Sequence, residues 1–198
     1  MSINTFATLK ASITSWTKRA DLTSVLDDFV LMAESRIFSD LKVIEMEARA
    51  DYTPTSRYLP TPTGLTSIRR IVAKSSPPVE LMATSPDGLR TVYDEGSGTP
   101  SHYAILGSEI EFNRIPNVDV EIVYYASPTA LSDANTSNAI LTAYPQIYLA
   151  ACMVQAGLYI VNDAMVAKWQ GLYADAVSAA NRKSSKFQTA GPMATVSA

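Results

Sequence analysis

An α+β fold is predicted for this chain: an antiparallel bundle of about four helices, an inserted antiparallel β region and an extended C-terminal tail. Three observations predict it. Apolar residues recur at three- and four-residue steps near both ends of the sequence, they alternate with polar ones through the middle, and the closing stretch SSKFQTAGPMATVSA shows neither pattern. The expected boundaries are residues 4–41 and 138–183 for the bundle, 43–126 for the β region and 184–198 for a flexible tail, all in a single domain of 1–198.

The first helix is expected from Asn4 to about Lys18, with Phe6, Leu9, Ile13 and Trp16 on one face. Asp21 reads as the N-cap of a second. Its stripe is Leu22, Val25, Leu26, Phe29, Ala33, Ile37 and Leu41, with Asp27, Asp28, Glu34 and Arg36 off it. Asp27 and Asp28 form a doubtful acid/base couple, because neighbouring helix positions point roughly 100° apart; a solvated face is the better reading.

The period then falls to two. In VIEMEARADYT, Ile44, Met46, Ala48, Ala50 and Tyr52 alternate with Glu45, Glu47, Arg49, Asp51 and Thr53, the pattern of a half-buried strand. Prolines at 54, 60 and 62 and then Gly64 break it into loops. SIRRIVA (67–73) and PPVELMA (77–83) are further strand candidates, and SPDGLRTVYDE suits a helical turn capped by Ser85 with Pro86 at its first position. HYAIL and EIEF read as a hairpin turned at Gly107-Ser108. VEIVYY follows as a third strand, so that the three make a meander with one buried face.

From Asn138 the helical period returns. Leu141, Tyr144, Ile147, Tyr148, Ala151, Val154, Leu158 and Val161 form one long stripe, with Pro145 tolerable only near its start. Asn162 or Asp163 caps a last helix lined by Met165, Trp169, Leu172, Tyr173, Ala176, Val177 and Ala180.

Composition narrows the function. With 47% hydrophobic and 18% charged residues the chain is ordinary globular material, and at its size it can bury roughly 70% of its unfolded surface without disulfide or metal. Cys152 is the only cysteine and sits among apolar neighbours, so neither an internal disulfide nor a CxxC site is available. MSINTFATLKASITSW lacks a signal-peptide pattern, and the apolar run near Ile147–Val161 is too short to span a bilayer; a reducing compartment and no membrane are expected. A net charge of −3 argues against tight nucleic-acid binding by the whole chain. After Asp175, however, no acid follows, while Arg182, Lys183 and Lys186 come in quick succession.

No motif carries chemistry. His102 is the only histidine, GSG at 96–98 lacks the remainder of a phosphate loop, and DANTS at 133–137 lacks the glycine and glutamate of a calcium loop. No cofactor, metal or catalytic residue is expected. The one unusual cluster is the acidic side of the meander, Glu109, Glu111, Asp119 and Glu121. Close carboxylates could hold a metal or act as an acid/base pair. They are more simply the wet face of a half-buried sheet, and lining a ring they would repel DNA phosphates and let DNA pass.

Several phrases together resemble the bacteriophage head–tail adaptor (connector) proteins, the group with tail tubular protein A and the head-completion adaptors. They are FVLMAESRI, RYLPTPTGL, GTPSHYAILGSEIEF with IPN after it, VEIVYYASPTALSD, AYPQIYLAACMVQAGLYIVND and KWQGLYADAVSAANR, spanning Phe29 to Arg182. The resemblance implies a structural virion protein, not an enzyme, made in the host cytoplasm and placed at the head–tail junction. It implies a twelve-subunit ring under the portal protein, a downstream tail or nozzle protein as second partner, and genomic DNA passing without specific binding. Arg182, Lys183, Lys186, Phe187 and Met193 are the expected portal-docking residues. Glu109, Glu111, Asp119, Glu121 and Tyr125 are the expected channel or subunit-contact face. Two rivals stay open: a tail-terminator or tail-tube component without portal contact, and a small hydrolase using the acidic meander. A host regulatory module is disfavoured, since no groove-reading helix is recognisable.

Overall fold

The computed structural model describes residues 2–189. In chain order the elements are α1 (Phe6–Thr17), α2 (Leu26–Asp40), β1 (Glu47–Tyr52), β2 (Tyr58–Pro60), β3 (Leu65–Ala73), β4 (Val79–Glu80), β5 (Met82–Ala83) and α3 (Pro86–Thr91). They continue with β6 (Ser97–Gly98), β7 (His102–Leu106), β8 (Glu109–Phe112), β9 (Ile115–Pro116), β10 (Val120–Ala126), α4 (Ala139–Ala143), α5 (Pro145–Tyr159) and α6 (Asp163–Thr189). This is an α+β fold. The chain divides into two compact units: a helical one that takes the sequence up to Met46 and again from Pro128, and a β unit of Glu47–Ser127.

The helical unit is built around α5, which packs against α1, α2 and α6. Ten of its residues are buried, including Ile147, Tyr148, Ala151 and Cys152, so it is a central helix rather than an amphipathic one. Gly157 permits the close approach of α6, because a Cβ there would lie 2.9 Å from Val166 Cγ2. Thr5 opens α1 with a capping box: its hydroxyl accepts from Thr8 N–H while the Thr8 hydroxyl accepts from Thr5 N–H.

Four expectations for these helices change. Asp21 caps nothing but pairs with Arg19, and a 3-10 turn over Thr23–Val25 leads into α2 instead. The stripe from Asn138 is two helices, α4 and α5, because Pro145 has no N–H and forces a break at Tyr144. Trp16 is 59% exposed and meets Trp169 edge-on at 5.3 Å instead of joining the core. α6 continues past Ser184 to Thr189, so helix replaces tail over the first six residues of 184–198; residues 190–198 lie outside the described ones.

The β unit holds two four-stranded sheets, ordered β1-β10-β3-β4 and β2-β8-β7-β5, and a small β6-β9 pair. Ile71, Ala73, Val120, Ile122 and Tyr124 of the first sheet share one core with Leu59, Tyr103, Ile110 and Phe112 of the second. The two sheets thus bury one face each against the other, as in a sandwich. β7 and β8 form the expected hairpin, with Leu106 opposite Glu109 and Gly107 at φ 61° in the turn. The expected meander stops there. β10 crosses to the other sheet and lies between β1 and β3, because its inward residues fill the core from the opposite side. Two short pairings, β5 with β7 and β6 with β9, are parallel.

Candidate docking surface

The regular burial of α6 determines which of its side chains face outward. Tyr173, Val177, Ala180 and Ser184 are buried along one stripe, so Arg182, Lys183 and Lys186 stand exposed on other faces. Arg182 Nη1 donates to Ser178 Oγ at 2.6 Å. Among the described residues no carboxylate pairs with Arg182 or Lys183. Met193 lies outside the described residues, as does the side chain of Phe187.

Two hollows flank that stretch. One, of about 250 Å³, is lined by Ile44, Glu45, Tyr144, Lys183 and Ser184. Tyr144 Oη donates to both Glu45 oxygens at 3.2 Å; burial first, then the Glu45 charge, pushes the Tyr144 phenol above its usual range. The other hollow, about 450 Å³, lies between α2 and α6, lined by residues including Arg36, Asp40, Tyr173, Ser178, Asn181 and Arg182. Its floor is internally satisfied. Tyr173 Oη donates to Asp40 at 2.9 Å, the Arg36 guanidinium sits 4.4 Å from the Tyr173 ring centre, and Asn181 bridges the Asp40 carbonyl and Lys42 N–H.

A different polar construction lies deeper. Glu34, which lies off the apolar stripe read from the sequence, is nevertheless only 2% exposed. Leu131 N–H donates to both its oxygens at 3.0 and 3.2 Å, and Tyr148 Oη donates to Oε1 at 2.9 Å. Asn138 Nδ2 donates to Tyr148 Oη at 2.8 Å while Asn138 Oδ1 caps α4 through Leu141 N–H. Burial pushes the Glu34 carboxyl above the usual range, and the three donors oppose the shift. The same burial carries the Tyr148 phenol and the Cys152 thiol well above theirs, so neither is a reactive group. This cluster fastens the segment from Thr129 to Asn138 onto α2 and α5. Its role is structural.

The acidic set in the β unit is not brought together. Glu109 and Glu111 lie on β8, while Glu121 and Tyr125 lie on β10 in the other sheet, with Asp119 just before that strand. Glu121 is half-buried between Arg49 at 3.1 Å and Arg70 at 3.4 Å. Asp119 accepts from Thr53 Oγ1 at 2.7 Å, and Tyr125 is buried opposite Glu47. The outer side of β1, β10 and β3 is therefore an ion-pair ladder. Arg69 joins Glu47, Lys74 joins Asp51 at 2.8 Å, and Arg49 links Asp51 to Glu121. The Lys74 contact holds the Asp51 carboxyl below its usual range. Arginines some fifty and seventy residues from Glu121 supply these partners, and no local pattern in VEIVYY signals them.

His102 is half-buried with Nδ1 2.9 Å from Ser101 Oγ, and among the described residues no carboxylate pairs with it. Among the described residues no group of three or more His, Cys, Asp or Glu could hold a metal ion, and no helix is long and apolar enough to cross a membrane. What the described residues offer is surface: Arg182 and Lys183 exposed on α6, the two hollows beside them and a charged sheet. Compared with known families, residues 4–195 match the family described as SU10 adaptor protein. The chain belongs to that family. No curated protein matches it. As a phage adaptor it is a structural protein of the virion's head–tail junction, in a family not known for enzymes, and its partners are of the portal and tail kind.

Proposed function

We propose that the adaptor docks on the portal protein through the C-terminal part of α6 and forms a ring, of twelve subunits as in related connectors, that extends the DNA channel. The observation that carries this reading is the pair Arg182 and Lys183, exposed on a regular helix and without a carboxylate partner among the described residues. Uncompensated cations steer association with an acidic surface and stay soluble until they meet it. Lys186, Phe187 and Met193 extend the same contact beyond them. A ring multiplies a weak contact through many simultaneous attachments, so each subunit's contact need not be strong.

The β unit presents the other working face, to the tail or nozzle protein and to neighbouring subunits. Glu109 and Glu111, which share β8 and form no ion pair among the described residues, are assigned to the lumen, where they repel passing phosphates. The ladder with Glu121, and Tyr125 beside it, is assigned to subunit contact.

Co-sedimentation with portal rings tests the docking. The full chain is expected to pellet with the portal, and R182E/K183E to lose most of that binding, with the loss growing as salt is lowered. Equal binding by both proteins would move docking elsewhere on the body. No binding by either would favour a tail-terminator or tail-tube role.

A further inference from the structure

The hollow beside Lys183 contains an unusual group. Ser184 is 3% exposed, and its Oγ has no hydrogen-bond partner among the described residues. Buried hydroxyls are nearly always satisfied, so an unpaired one lining a cavity points to a partner that arrives from outside. The remaining walls indicate its chemistry. Glu45 offers a carboxylate acceptor already oriented by Tyr144 Oη, and Lys183 offers an ammonium donor. Glu45 and Lys183 do not pair with each other. Ile44, 42% exposed on its 3-10 turn, supplies an apolar wall, as does the Tyr144 ring.

The volume, about 250 Å³, equals roughly eight waters at ~30 Å³ each and falls below the ~300–1,000 Å³ of ordinary small-molecule pockets. It suits one or two residues of a peptide better than a cofactor. A donor and an acceptor facing one hollow match a peptide group, whose carbonyl accepts from Ser184 Oγ and whose N–H donates to Glu45. An apolar side chain fits against Ile44 and Tyr144. The uncompensated charges of Lys183 and Arg182 favour a carboxylate next along the chain.

We propose that this hollow receives an extended segment of the docking partner, an apolar residue followed by an acidic one. The proposal rests on the docking reading above and gives it a specific contact. Peptide main-chain hydrogen bonds then supply affinity, while the apolar wall and the two cations supply the choice of sequence.

The test is a titration of the full-length, ¹⁵N-labelled protein with millimolar acetyl-Leu-Asp-Asp-amide, following amide shifts. Saturable shifts are expected at Ile44, Glu45, Lys183 and Ser184. Acetyl-Leu-Lys-Lys-amide and acetyl-Ser-Asp-Asp-amide are expected to bind at least tenfold more weakly. S184A removes one neutral hydrogen bond and is expected to weaken binding about twofold to tenfold. I44D, at an exposed position where folding is preserved, is expected to abolish it. No saturable shift at these four residues overturns the proposal, as does equal response to the acidic and basic peptides. A crystal structure with only water on Ser184 Oγ after soaking with the acidic peptide also overturns it. Portal co-sedimentation separates the two readings. Portal binding lost in R182E/K183E with no peptide response leaves docking standing and removes the hollow; peptide binding with unchanged portal binding in I44D detaches the hollow from docking and overturns the assignment.

Discussion

Glu34 in the helical unit and Glu121 in the β unit are both withdrawn from bulk water, but by different means. Glu34 is deeply buried and accepts from three neutral donors, with no ion pair among the described residues. Glu121 lies on an outer sheet face between two arginines that are themselves half in solvent or more. The first arrangement is rigid, since its donors belong to the fold and two of them, Leu131 N–H and Tyr148 Oη, lose their acceptor if the carboxylate goes. The second is adjustable, because exposed ion pairs exchange readily for water, salt or a neighbour's side chain.

Substitutions can break that contrast. The largest effect is expected for E34A, which orphans Leu131 N–H and Tyr148 Oη and should cost about 3 kcal/mol, read as a lower urea midpoint. Y148F leaves Glu34 two donors and should cost about 1–2 kcal/mol by the same measurement. R70A at the ladder should cost at most about 1 kcal/mol, and its effect should fade in 1 M salt, where the screening length is about 3 Å. An R70A loss as large as that of E34A, unchanged by salt, would end the distinction.

The pH dependence sharpens it further. The native carboxyl of Glu34 is raised above its unfolded value by burial, so its contribution is full below the unfolded value near 4.5 and is lost as pH rises through the native value. Asp51 is lowered, chiefly by its hydrogen bond from Lys74, and has the opposite sign: its contribution is present above the unfolded value near 3.8 and lost as pH falls through the native one. In denaturation across pH 4 to 7, the advantage of the native protein over E34Q should shrink as pH rises. The small advantage over D51N should instead be held or grow. Parallel curves for the two variants would contradict these opposite signs.

The elements themselves were legible in the sequence where a period ran long enough. Phe6, Leu9 and Ile13 mark α1, the alternation through Ala48, Ala50 and Tyr52 marks β1, and Gly107-Ser108 marks the hairpin. Ser85 with Pro86 places the start of α3 through the chemistry of its cap. The site was less legible. Arg182 and Lys183 stand out because the acids stop at Asp175, a property of the linear chain. The hollow at Ser184 could not be anticipated, since it needs the turn at Ile44 and the α4–α5 break at Tyr144 beside the same stretch of α6.

By itself, the sequence determined the class of fold, the lack of any motif for chemistry and the cationic end, because periodicity, composition and charge order are carried by residues near one another. Only the tertiary structure decided that β10 leaves its hairpin neighbours, that Glu121 belongs to arginines instead of other acids and that Glu34 is buried. Alternation tells a strand which side is apolar but not which strand will cover it. Pairing is chosen by the core that closes around residues distant in sequence, and with it the partner of every polar side chain on the far side.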